Sequence, residues 1–101
     1  GPYSKEANET FGFIEKNIGK NESILFAKPR ALTYFTGRKT YVNTELATQA
    51  EIQMELNTLK PDYVLLCSEI TDDSTKTYFS TIPKDFELSF ENEKFKLLKR
   101  K

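Results

Sequence analysis

Tyr3, Ala7, Phe11, Ile14 and Ile18 recur at steps of four, four, three and four, the spacing that lines one face of a helix. Ser4 stands where an N-cap accepts from the first free amides, and Gly19 where the chain can turn left-handed and stop. Gly12 interrupts this stripe at a cost of about 1 kcal/mol relative to Ala, so the pattern leaves the middle of the helix open. Ser23-Ile24-Leu25-Phe26-Ala27 follows as an unbroken apolar run. A run without alternation suits a strand buried on both faces, as in a parallel sheet. Pro29 then opens a short helix that Gly37 closes, and Thr40-Tyr41-Val42 makes a brief, polar outer strand. Thr48 and Glu51 form the ends of a capping box, with Ile52, Leu56 and Leu59 as the core stripe until Pro61. Asp62-Tyr63-Val64-Leu65-Leu66-Cys67 is the second unbroken run. Asp72 or Asp73 caps a helix carrying Tyr78, Phe79 and Ile82, stopped by Pro83. The period then changes: Phe86, Leu88 and Phe90 alternate with polar residues, and Phe95 and Leu97 do so beyond Glu91-Asn92-Glu93. That is a hairpin with one wet face.

This order predicts an α/β three-layer sandwich around a mixed, mostly parallel five-stranded sheet of Rossmann-like type that ends in a β-hairpin. Right-handed crossovers set the first strand beside the third, with the second outside. The hairpin extends the other side, in the order 2-1-3-5-4 or, alternatively, 2-1-3-4-5. The two apolar runs put Ile24, Phe26, Val64 and Leu66 among the most buried residues. No repeat, low-complexity stretch or linker divides the chain, so residues 3–101 read as one domain. Gly1-Pro2 reads as the remnant of a cleaved affinity tag, with whatever naturally precedes it out of view.

Composition removes options more than it adds them. The 101 residues hold 15 Lys+Arg against 15 Asp+Glu, no His, one Cys and no Trp. Zero net charge argues against a duplex nucleic-acid binder. Without His and with a single Cys, there is no basis for His-dependent catalysis, a zinc site or an internal disulfide. No window approaches the ~20 apolar residues of a membrane span, and mean hydropathy is −0.58. Within this sequence no charged n-region precedes an apolar h-region, so no signal peptide is expected there.

In open α/β sheets ligands sit beyond the carboxyl ends of the strands, where strand order reverses. Here the loops after the first and third strands reach that crevice. Lys28-Pro29-Arg30 is bulky and stiff where a dinucleotide site needs glycines, no P-loop is present, and Lys28 and Cys67-Ser68 stand where a phospho-receiver needs acids. Lys28 and Arg30 flank a helix start and Arg38 follows its end, which makes the three a candidate anion clamp or docking surface. The plainer reading is solvated charge paired with nearby acids. Glu69, Asp72 and Asp73 offer carboxylates for a cation, although Asp-Asp before a Ser/Thr-rich helix is more often a cap. Cys67 ends a buried strand with no base to activate it and reads as core. The aromatic residues fall at core spacings rather than as a stacking platform. Lys94, Lys96, Lys99, Arg100 and Lys101 make a basic end that suits anionic lipid headgroups, or simply a solvated tail. Asn8-Glu9-Thr10 and Asn21-Glu22-Ser23 match the N-glycosylation pattern. No nucleophile–base pair, phosphate cradle or metal cluster is legible, so neither cofactor nor catalytic residue is assigned.

The stretch Lys28-Pro29-Arg30-Ala31-Leu32-Thr33-Tyr34-Phe35-Thr36-Gly37-Arg38, followed by Pro61-Asp62-Tyr63-Val64-Leu65-Leu66, resembles the soluble C-terminal region of bacterial membrane glycosyltransferases of the protein-mannosyltransferase and aminoarabinose-transferase type. The likeness runs from about Phe11 to Leu98. It implies a multi-spanning enzyme that uses a polyprenyl-phosphate sugar donor. The domain would then lie on the extracytoplasmic (periplasmic) face of a bacterial inner membrane, anchored through an N-terminal membrane region. Its partners would be that membrane-embedded part of the same polypeptide, lipid headgroups or the acceptor. The family's catalytic acids lie in the membrane part, so none carries over; Pro29, Arg30, Gly37, Arg38, Asp62 and Tyr63 match as pattern residues with structural roles. The resulting expectation is a non-catalytic accessory domain. The alternative is a stand-alone α/β module binding an anionic ligand.

Overall fold

The computed structural model of the chain describes residues 4–26, 36–41 and 47–101. Its elements are helix α1 (Lys5–Asn17), strands β1 (Ser23–Leu25) and β2 (Lys39–Tyr41), helix α2 (Gln49–Leu59), strand β3 (Tyr63–Cys67), helix α3 (Asp73–Tyr78) and strands β4 (Phe86–Glu91) and β5 (Phe95–Arg100). They build one sheet in the order β2-β1-β3-β5-β4, the first of the two orders expected. β1 runs parallel to β2 and β3, while β5 is antiparallel to β3 and β4. Four of the five strands therefore point the same way and β5 alone is reversed, the mixed, mostly parallel sheet that was expected. The expected tag dipeptide and most of the helix expected from Pro29 lie outside the described residues.

Two clusters fill the two faces, which is why the apolar runs do not alternate. Ile24, Phe26, Leu65 and Leu97 pack with Phe11 and Ile14 of α1. Leu25, Val64 and Leu98 pack with Ile52 and Leu56 of α2 and with Phe79 just beyond α3. Each such side chain contributes about 1.5–3 kcal/mol by leaving water. Ile24, Phe26 and Val64 are buried as expected, but Leu66 is only half-buried and Leu65 is the deeper residue. Leu66 lies on the α3 face near the open end of the sheet.

The hairpin departs from the expectation of one wet face. β5 lies between β3 and β4, so consecutive Leu97 and Leu98 are both fully buried, on opposite faces. The solvated positions are on β4, at Glu87 and Leu88. The pairing also slips: Leu88 faces Leu98 but Phe90 faces Leu97, with Ser89 left over as a bulge. Phe86 consequently meets Phe79 on the α3 face, while Phe90 meets Phe13 of α1 on the other, with ring centroids 6.1 and 4.7 Å apart.

The helix ends show which sequence signals were used. Ser4 caps α1, and the helix runs unbroken through Gly12. Gly19 does not close it in a left-handed turn; its N–H donates to Glu22 Oε1 at 2.7 Å. The Thr48–Glu51 capping box is complete. α2 ends at Lys60, which is left-handed with φ 46° although it is not glycine. Gly37 takes the left-handed conformation, φ 70°. Asp72 caps α3, which stops at Tyr78 and leaves Ile82 outside it and exposed.

Candidate functional site

The carboxyl ends of β1 and β3, the β4–β5 turn and the start of α1 share one end of the molecule. Asn92 in that turn ties them together. Its Nδ2 donates to Glu6 O and Thr10 Oγ1 at 3.0 and 3.2 Å, while its Oδ1 accepts from the Lys94 and Phe95 amides. The hydroxyl of Thr10, a fully buried residue, donates in turn to Glu6 O. Sequence reasoning missed Asn92. The only signal was an asparagine at the tip of a hairpin, where its amide serves backbone groups readily.

Of the two loops expected at the switch point, the one carrying Lys28 and Arg30 lies outside the described residues. The other is a tight turn. The amides of Ile70 and Thr71 donate to Cys67 O, and the Cys67 amide donates to Thr71 Oγ1 at 2.8 Å. The three carboxylates do not converge. Asp72 accepts from the Thr75 amide and hydroxyl; Glu69 points to Lys94 Nζ at 2.9 Å, which also lies 3.6 Å from Glu6; Asp73 is exposed. Burial works to raise the Asp72 carboxyl, but hydrogen bonds from Thr75 and the first amides of α3 prevail and hold it below its ordinary value. Lys94 is pushed up by its hydrogen bond to Glu69, and remains an ammonium. No cluster of potential metal ligands forms among the described residues. Cys67 is buried in the core on the α1 face.

A cavity of about 250 Å³ opens between α3 and the hairpin turn, with Leu66 and Phe79 as its floor and Lys76, Lys96 and Ser80 among its walls. Lys76 Nζ donates to Ser68 O at 2.6 Å, Lys96 lies 3.8 Å from Glu91, and the Ser80 hydroxyl donates to Thr77 O.

Arg38 is placed at the opposite end, where α1 finishes, and is 5% exposed. Its Nε and Nη2 donate to Ile18 O, Nη2 also to Glu15 O at 2.8 Å, and Nη1 to Thr36 O. Ile18 and Glu15 carry carbonyls that a helix end leaves without partners. The guanidinium thus closes α1 from 20 residues away, where Gly19 was expected to do so. Arg100 reaches the end of α2 more loosely, donating from Nη2 to Leu56 O at 3.4 Å and from Nε to Pro61 O just beyond the helix at 2.9 Å, while its guanidinium lies over the Phe86 ring. Between them Asp62 Oδ2 accepts from the Ser23 amide at 2.8 Å and joins the starts of β1 and β3. The Ser23 hydroxyl also donates to that carboxylate. Both glycosylation-type sequences therefore have their hydroxyl residue, Thr10 or Ser23, buried and hydrogen-bonded.

The sequence matches no family model and no curated protein. Among solved structures, the fold is similar to that of the C-terminal globular domain of an oligosaccharyltransferase from Archaeoglobus fulgidus. The TM-score is 0.70 at 10% sequence identity, over the full length of both chains. At that identity the likeness is one of fold.

Proposed function

We propose that this chain is the globular C-terminal accessory domain of a membrane glycosyltransferase, and that it contributes binding rather than chemistry. The observation that carries this reading is the end-to-end match in fold to the corresponding domain of an oligosaccharyltransferase. The resemblance of Lys28–Arg38 and Pro61–Leu66 to bacterial membrane glycosyltransferases supports it from the sequence side. On this reading the membrane part holds the acidic catalytic residues and the polyprenyl-phosphate sugar donor. The present domain docks on its extracytoplasmic face and presents Lys28 and Arg30 to it or to the acceptor. Arg38 acts through the fold, by closing the end of α1.

The test uses the full-length gene product and the isolated 101-residue chain side by side. Deleting the domain, or replacing Arg30 by Ala, is expected to reduce glycosyl transfer by the full-length protein. The isolated chain is expected to transfer no sugar. Turnover by the isolated chain, or undiminished transfer after deletion, would overturn the reading. A gene without hydrophobic spans would also overturn it, and would leave a free-standing module that binds an anion.

A further inference from the structure

All three ion pairs among the described residues lie at the hairpin end: Lys94 with Glu6, Lys94 with Glu69, and Lys96 with Glu91. The opposite end is different. Lys16 lies in the last turn of α1, Lys20 just before β1, and Lys60 is the C-cap of α2 before β3. β5 runs antiparallel to β3, so Lys99 pairs with Tyr63 at the start of β3, and the Lys101 amide donates to Asp85 O and draws in Lys84. These six lysines are all exposed, and none makes an ion pair among the described residues.

Two features keep that charge on display. Helix C-termini attract cations, yet Arg38 already donates to the carbonyls at the end of α1, and Arg100 to Leu56 O of α2 and Pro61 O beyond it. Two of the acids at this end are also engaged locally, Asp62 by Ser23 and Glu22 by the Gly19 amide. Glu15, Glu55, Asp85 and Glu87 remain, fewer than the six lysines. Ile82, 38% exposed, stands two residues from Lys84 in the loop entering β4.

We infer that this end is a contact surface for anionic phospholipid headgroups. The cations are spread over a whole end on flexible stems, with Lys16 and Lys20 sharing a concavity. They are lysines, compact point charges suited to a diffuse field, rather than the forked guanidiniums that grip individual phosphates. An exposed apolar side chain beside them is the arrangement that lets a peripheral domain rest on a bilayer. The inference does not depend on the glycosyltransferase reading.

The test is sedimentation of the 101-residue chain with vesicles. Binding is expected to vesicles of phosphatidylcholine containing about one-third phosphatidylglycerol and not to pure phosphatidylcholine, and to vanish at roughly 0.5 M salt. K84E/K101E is expected to weaken binding roughly tenfold or more. K5E/K76E changes net charge equally at the hairpin end and is expected to leave binding within about twofold. K16E/K20E, on the α1 side of the same end, repeats the first test should K84E/K101E fail to fold. Equal losses at the two ends would overturn the inference. So would equal binding to neutral vesicles, or binding to soluble polyphosphate without binding to vesicles.

Discussion

At the hairpin end, charged and amide side chains meet one another: Lys94 lies between Glu6 and Glu69, and Asn92 fastens the turn to α1. At the far end two guanidiniums meet backbone carbonyls, and six exposed lysines make no ion pair among the described residues. The chain has equal numbers of acids and bases, yet its charge is neither uniform nor put to one use. Whether a cation holds the fold or faces outward depends here on what the adjacent helix end leaves unsatisfied. The arginines take that work and leave the lysines on the surface.

If the contrast holds, the far end should be the more sensitive to a single truncation. Arg38→Ala is expected to cost about 3 kcal/mol in urea unfolding, because several buried carbonyls lose a charged donor at once. Arg38→Lys should recover less than half of it, since an ammonium cannot reproduce the fork. A loss below about 0.5 kcal/mol would reduce Arg38 to ordinary surface charge and erase the distinction. Asn92→Ala should cost about 2 kcal/mol by freeing the turn from α1, and hydrogen exchange should quicken in the turn before it does in β3. Asp72→Ala should cost about 1 kcal/mol through the lost cap of α3. Because the Asp72 carboxyl is held below its ordinary value of 3.8, its stabilisation is complete above that pH and is lost as pH falls through the lowered value. Asp72→Asn, which keeps a cap but cannot titrate, should flatten that acid limb. The smallest effect is a gain. A Cβ at Gly12 meets nothing within 4 Å, so Gly12→Ala should stabilise α1 by about 0.5–1 kcal/mol in thermal unfolding. It should do so without altering either end.

The sheet order was legible because the runs at 23–27 and 62–67 identify strands buried on both faces, and crossover handedness then leaves few ways to connect them. Local caps were legible too, at Ser4, Thr48 and Asp72, since each signal and its target lie within three residues. What failed was whatever depends on a partner distant in sequence. Gly19 has the right chemistry for a helix stop, but Arg38 arrives to do the work. Phe86, Leu88 and Phe90 keep a perfect period of two, yet the bulge at Ser89 turns Phe90 to the other face. Leu98 fell outside the alternation of Phe95 and Leu97, and its burial depends on β5 lying inside the sheet. Of the proposed docking residues, the structure locates Arg38 alone, as a buried cap, and pattern could not distinguish that from an exposed cation.

The bulge at Ser89 has a further consequence. β4 borders the sheet, and a straight bordering strand offers its free amides and carbonyls to the same strand of another molecule. A bulged strand bends and twists, and Glu87 and Glu91 add like charge to any such pairing. The register slip that moves Phe90 onto α1 therefore also keeps the sheet from growing by association. A chain shortened by Ser89 would lose both at once and should precipitate on storage where the parent stays dispersed.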